Sequence, residues 1–206
     1  MFSFQTTYNL KFLDVLTALI AWFAIILQCY LTTGSLTNLF SYFTILTNLL
    51  IAVFLTAGFL FSKNGKGSFF KDSSVRSAIT LYIFIVALVY NTVLRGIVTL
   101  HGWNLLVDTL LHVIVPLLYI TGWFLFVPKG ILKWQNGISW IIFPTGYLIY
   151  SLIRGAIYGW YPYPFLNVAE FGYPKVFTNI AIMILVFFAA GLCLIKLNHG
   201  FKKNHS

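Results

Sequence analysis

The chain has 206 residues, of which 60% are hydrophobic, 19% are aromatic and only 8% are charged, and its formal net charge is +9. A soluble domain has about a quarter of its residues charged, so this composition excludes an ordinary soluble fold. At about 20 residues per transmembrane helix, six spans and short loops fill the whole length. The basic residues sit in those short loops, so the net charge reflects membrane topology and gives no indication of nucleic-acid binding.

The apolar runs predict six transmembrane helices. The first covers about residues 12–31 and the second about 39–61, joined by a short uncharged loop. A polar stretch containing Gly65 and Gly67 follows, and the third span covers about 77–100. The remaining three cover about 105–127, 138–158 and 176–195. We therefore expect an all-α fold: one integral membrane domain over residues 1–206, built as a bundle of six transmembrane helices.

Basic residues are distributed unevenly across this predicted topology. Ten fall on one side of the membrane, Lys175 falls on the other, and Arg95 and Arg154 fall inside predicted spans. Because positively charged loops stay in the cytoplasm, both termini are predicted to be cytoplasmic and the protein to be a multi-pass protein of the cell membrane. The ten are Lys11, Lys63, Lys66, Lys71, Arg76, Lys129, Lys133, Lys196, Lys202 and Lys203.

Four of the predicted spans carry a polar pair four residues apart, a spacing that puts both side chains on one helix face. At 1.5 Å per residue, every pair lies in the outer half of the membrane, roughly 8–14 Å deep for the buried members. Ionisable groups at that depth are costly unless they are paired or face a cavity, so a polar pocket is predicted there. The pairs are Thr44/Asn48, Asn91/Arg95, Asp108/His112 and Arg154/Tyr158.

A nucleophile, a base and an orienting group can be drawn from these pairs. The Thr44 hydroxyl is a weak nucleophile that needs a neighbouring base, and His112 can act as that base near neutral pH. Asp108 would hold the imidazole in one tautomer. No motif for a metal, a nucleotide phosphate or a serine elbow is present, so we predict no cofactor and no metal site. The predicted substrate-binding residues are Asn48, Asn91, Arg95, Arg154 and Tyr158.

Each of these residues also has a structural alternative. A helical threonine such as Thr44 often bonds its own backbone carbonyl. Asn48 and Asn91 can be interhelical hydrogen-bond donors, and His112 can be a structural partner of Asp108.

Two further functions are compatible with the spacing. Arg95 and Arg154 could bind a small anionic or lipid molecule in a non-enzymatic binder or transporter, or could extend to outer headgroups. The third possibility is a structural membrane protein with a satisfied polar core. The two cysteines, Cys29 and Cys193, lie in apolar runs and are predicted to be reduced thiols.

Several segments, in order along the chain, resemble one family. Residues 41–50 (SYFTILTNLL), 111–116 (LHVIVP) and 159–166 (GWYPYPFL) look like the bacterial six-span branch of the family that contains the androgen-induced and androgen-dependent (ADTRP) membrane proteins of animals. Residues 122–130 (GWFLFVPKG) and the pair Arg154-Gly155 are also similar to that branch.

This resemblance implies a function. Animal members of the family are threonine hydrolases of fatty acid esters of hydroxy fatty acids. By similarity, Thr44 rather than Thr47 is the nucleophile and His112 is the base. The expected partners are membrane lipids and either an acyl-lipid ester or a small amphipathic substrate. The animal proteins tend to have an amide where this chain has Asp108, and histidines in the fifth span where it has Arg154.

Overall fold

The computed structural model describes residues 3–61 and 69–200, with side chains from residue 12 onward except that of Lys71. The predicted orientation rests partly on residues outside the described ranges, which are Lys63, Lys66, Lys202 and Lys203. The side chain of Lys11 is also outside the described part of the chain. Within the described ranges, all regular secondary structure is helical.

Six helical segments are long and apolar enough to cross a membrane. This confirms the prediction of an all-α, multi-pass membrane protein with six spans. The segments are Phe12–Leu31, Phe43–Leu60, Ser73–Leu94, Gly102–Phe126, Asn136–Tyr158 and Val168–Gly200.

The chain divides into two compact units, Met1–Pro128 and Lys129–Ser206, and each is described by itself. The single membrane domain expected for residues 1–206 stays a prediction.

The first unit contains the first four spans. Helix α1 packs against α3 and α6, and α4 packs against the same two helices. Small side chains such as Ala21, Ala24 and Ala52 are fully buried, which lets the helix backbones approach closely. The elements are α1 (Ser3–Leu31), α2 (Leu36–Leu39), α3 (Phe43–Leu60), α4 (Ser73–Val89), a π-helical turn (Tyr90–Leu94), α5 (Gly102–Thr109), a second π-helical turn (Leu110–Ile114) and α6 (Val115–Phe126).

An ion pair joins α1 to α4 in this unit. The Arg76 guanidinium donates to both carboxylate oxygens of Asp14, at 3.0 and 2.6 Å. It also lies over the Tyr119 ring, 5.6 Å from the centroid. A Cβ at Gly122 would stand 2.7 Å from the Arg76 Nη2, so the missing side chain leaves room for the guanidinium. This bidentate geometry offsets part of the cost of burying the two charges.

Several span ends differ from their predicted positions, and two of them affect the predicted polar pairs. The second span begins at Phe43 rather than 39, because the short α2 and a turn precede it. The third ends at Leu94 rather than 100, because the backbone becomes extended at Arg95, with φ −64° and ψ 128°. Arg95 was predicted to lie inside a span, and this is wrong: it follows the helix and its side chain is exposed.

The second unit contains α7 (Asn136–Trp140), α8 (Ile142–Tyr158), a 3-10 turn (Pro164–Leu166) and α9 (Val168–Gly200). Helix α8 ends at Gly159, whose φ of +66° is the left-handed conformation that terminates many helices. Near the end of α9, the Asn198 side-chain oxygen accepts from the backbone N–H groups of Ile131 and Leu132, at 3.1 and 3.2 Å. These bonds hold the start of the unit against its last helix.

Candidate functional site

The helix that carries His112 is not regular at that residue. Its turn from Leu110 to Ile114 is π-helical, and the Val115 N–H bonds the Leu110 carbonyl five residues earlier. Pro116 follows and has no N–H to offer the His112 carbonyl four residues before it. The widened turn therefore frees the Leu111 carbonyl from its usual α-helical partner. Single π turns inside α-helices often occur at functional sites.

Two asparagines supply donors to this irregular turn. Asn48 Nδ2 donates to the Leu111 carbonyl at 3.3 Å, and Asn91 Nδ2 donates to the His112 carbonyl at 3.3 Å. Each amide also donates to a carbonyl four residues earlier in its own helix, that of Thr44 for Asn48 and of Ala87 for Asn91. The two amides therefore act as interhelical hydrogen-bond donors that hold the His112 segment, which is the structural alternative predicted for both asparagines.

Asp108 orients the imidazole of His112. The ring Nδ1 lies 3.0 Å from the Asp108 carboxylate and 3.0 Å from its backbone carbonyl. Both oxygens only accept, so Nδ1 carries the proton and Nε2 is left as the acceptor of the neutral ring. The two side chains are 14% and 13% exposed, so the pair is close to solvent or lipid without being open to it.

Tyr90 completes this group. Its ring stacks on the imidazole of His112, with centroids 3.6 Å apart and planes 10° from parallel. Its hydroxyl is hydrogen-bonded to the Asp108 carboxylate. Tyr90 opens the other π-helical turn of the unit, in which the Arg95 N–H bonds the Tyr90 carbonyl at 2.8 Å. Both π turns thus contribute to one cluster.

Thr44 lies in the first turn of α3, one residue after the helix begins. Its side chain is buried, with 8% of the residue exposed. Because Asn48 Nδ2 donates to both the Thr44 carbonyl and the Leu111 carbonyl, the backbone that carries Thr44 is joined to the residue preceding His112.

Tyr42, just outside the span, is half-buried, and burial raises the pKa of its phenol, so it is neutral near pH 7.

Arg95 lies at the edge of this cluster. Its Nη1 donates to the Asn91 Oδ1 at 2.8 Å, as the four-residue spacing predicts. The guanidinium also acts electrostatically on Asp108 and Tyr90. Arg95 is exposed and follows the end of its span.

The fourth predicted pair, Arg154/Tyr158, belongs to the second unit. The Arg154 guanidinium lies 4.6 Å from the Trp160 ring centroid and 5.8 Å from that of Tyr158. These aromatic faces stabilise the cation. The Tyr161 ring covers Gly155, where an added Cβ would meet it at 2.0 Å. The Arg-Gly pair and the aromatic loop therefore form one packed group.

Sequence reasoning missed Tyr90 and the two π turns. Pro116 was a signal for one of them, because a proline inside an apolar helix removes an N–H and frees a carbonyl. The described residues include no group of three or more His, Cys, Asp or Glu side chains able to hold a metal ion. Cys29 and Cys193 are free thiols.

No family model, curated protein or solved structure matches the chain. Its fold defines its class, an all-α, multi-pass membrane protein.

Proposed function

We propose that the protein is a lipid-ester hydrolase of the cytoplasmic membrane, with Thr44 as nucleophile, His112 as general base and Asp108 as the group that orients His112. The observation that carries the proposal is the bridge made by Asn48, which joins the backbone of the predicted nucleophile to the turn that carries the predicted base. The resemblance to the ADTRP-like threonine hydrolases supports the same two residues.

The reaction would proceed in two steps. The His112 Nε2 takes the proton from the Thr44 hydroxyl as its oxygen attacks the ester carbonyl carbon. The tetrahedral intermediate collapses and expels the alcohol, which takes that proton from His112, leaving an acyl ester on Thr44. Water then attacks the acyl carbon while His112 accepts its proton, and collapse releases the fatty acid and returns the proton to Thr44.

The geometry of His112 suits this role. A histidine that acts as a general base needs one unprotonated ring nitrogen. The two Asp108 oxygens at 3.0 Å keep the proton of the neutral ring on Nδ1, which leaves Nε2 as that nitrogen. Arg95, at the boundary end of the cluster, would bind the free carboxylate of a fatty acid ester of a hydroxy fatty acid. Such a substrate has its acyl chains in the lipid and its charged end at the surface. Its hydrolysis by this mechanism uses no metal or cofactor.

An active-site fluorophosphonate probe applied to isolated membranes tests the proposal. We expect Thr44→Val and His112→Gln to lower the labelling rate by at least about 100-fold, the usual contribution of a nucleophile or a base. Thr44→Ser keeps a hydroxyl and should retain labelling. Thr47→Val is the matched control, because it removes a fully buried hydroxyl one turn further along the same helix.

Two results would overturn the proposal that the protein is a hydrolase. One is wild-type protein that is folded yet reacts with no probe and turns over no long-chain ester. The other is labelling that survives in both Thr44→Val and His112→Gln.

A binder of small anionic lipids is the second candidate, and the exposed Arg95 beside Asn91 is the observation that favours it. Such a binder would show saturable binding of an anionic amphiphile that is lost in Arg95→Gln and unaffected by Thr44→Val. The hydrolase differs because its turnover requires Thr44.

A further inference from the structure

Tyr90 contacts both members of the predicted base pair at once. Its ring lies parallel to the His112 imidazole at 3.6 Å, and its hydroxyl reaches the Asp108 carboxylate. A ring stacked at that distance restricts rotation of the imidazole about the bond that joins it to the His112 Cβ. A hydroxyl bonded to the carboxylate restricts the group that holds the imidazole proton.

The backbone explains why Tyr90 can do this. Tyr90 lies where α4 widens into its π turn, and the Asn91 amide next to it donates to the His112 carbonyl. The two irregular turns are therefore joined by two contacts: the Asn91 amide donates to the His112 carbonyl, and the Tyr90 ring stacks on the His112 imidazole. Such an arrangement holds a side chain more firmly than a single contact, because ring and backbone are both restrained.

From these contacts we infer that Tyr90 is a positioning residue for the His112–Asp108 pair: it holds the imidazole in the tautomer with the proton on Nδ1. The inference deepens the proposed function and rests on it for its catalytic meaning. The tautomer itself is a property of the folded protein and can be measured without any substrate.

Nitrogen NMR of protein labelled with ¹⁵N-histidine in lipid nanodiscs measures the tautomer directly. The chain has four histidines, and His112→Gln identifies the signals of His112. In the wild type the protonated nitrogen should be Nδ1. Tyr90→Leu removes the stacked ring and the hydroxyl that restrain His112 and Asp108. We expect the ratio of the Nδ1–H form to the Nε2–H form to fall by about tenfold, the effect of weakening the hydrogen bond from Nδ1 to the charged carboxylate.

Tyr90→Phe separates the two contacts, because it keeps the stacked ring and loses the hydroxyl. It should lower the same ratio by a smaller factor. Tyr119→Phe is the control: within the described residues the Tyr119 hydroxyl is buried without a hydrogen-bond partner, so its loss should leave the His112 signals unchanged.

An unchanged tautomer ratio in Tyr90→Leu, with the other histidine signals as in the wild type, would overturn the inference. If that variant misfolds, Tyr90→Phe decides, and a ratio equal to that of the wild type overturns the role of the hydroxyl. The two proposals fail separately. If the probe does not label the protein but the tautomer ratio depends on Tyr90, only the hydrolase proposal is wrong. If the probe labels the protein but the tautomer ratio does not depend on Tyr90, only the positioning role is wrong.

Discussion

At the scale of single residues, many polar side chains of the first unit donate to a backbone carbonyl four residues earlier in the chain. Asn48 and Asn91 each donate to one carbonyl of their own helix and one of the π turn around His112. In a membrane interior no water replaces such a donor, so these bonds hold the turn in place. Their role as substrate-binding residues stays a prediction.

Asn48→Leu should therefore destabilise the protein. The variant keeps the approximate volume and removes the donor to the Thr44 and Leu111 carbonyls, for a loss of about 1 kcal/mol in the free energy of unfolding, typical of an interhelical hydrogen bond in a membrane. Unfolding in mixed micelles with increasing SDS measures it.

Thr47→Val is the matched comparison for stability as well. Thr47 is fully buried, and its hydroxyl has no hydrogen-bond partner within the described residues. Replacing an unpaired hydroxyl by a methyl group should leave the free energy of unfolding unchanged or slightly higher. Equal losses for Asn48→Leu and Thr47→Val would contradict the role assigned to the Asn48 amide.

At the scale of elements, glycine positions decide where large side chains can lie against a helix. Gly122 in α6 leaves room for the Arg76 guanidinium, and Gly155 in α8 leaves room for the Tyr161 ring. The first contact joins residues far apart along the chain, and the second joins a helix to the loop that follows it. The amino-acid composition predicts neither contact. The Arg154-Gly155 pair that contributed to the family resemblance is thus also a packing feature.

Gly155→Ala should displace the aromatic loop. Its Cβ would stand 2.0 Å from a Tyr161 ring atom, so the ring must move, at a cost of about 1–3 kcal/mol. Gly146→Ala in the same helix meets no atom within 4 Å and should be neutral or slightly stabilising. Tryptophan fluorescence and SDS unfolding of the two variants make the comparison, and a loss of similar size in both would contradict the steric explanation.

At the scale of the whole molecule, six helical segments are long and apolar enough to cross a membrane, and an even number of crossings predicts that both ends of the chain lie on the same side of it. The excess of lysine and arginine in alternate loops predicts that this side is the cytoplasm. Large apolar side chains are exposed along the spans, among them Leu19, Phe59, Ile153 and Leu185. Faces of this kind are expected to contact lipid.

Cysteine accessibility tests the orientation. With Cys29 and Cys193 replaced by alanine, Asn104→Cys at the start of α5 should react with a membrane-impermeant maleimide in intact cells. Lys133→Cys, in a basic loop, should react only after the cells are opened. Both residues are exposed in the structure. The reverse pattern would show that the termini face outward.

The sequence by itself determined the membrane class, the all-α fold and the number of spans, because hydrophobicity summed over about 20 residues is a local property of the chain. It also identified Asp108 and His112 as partners, since residues four apart on a helix lie next to each other. Only the tertiary structure decided that Arg95 follows its span, that Tyr90 covers His112, and that Asn48 joins Thr44 to the turn that carries His112. Those contacts depend on how each helix is rotated toward its neighbours, and a π turn changes that rotation without changing the pattern of apolar residues.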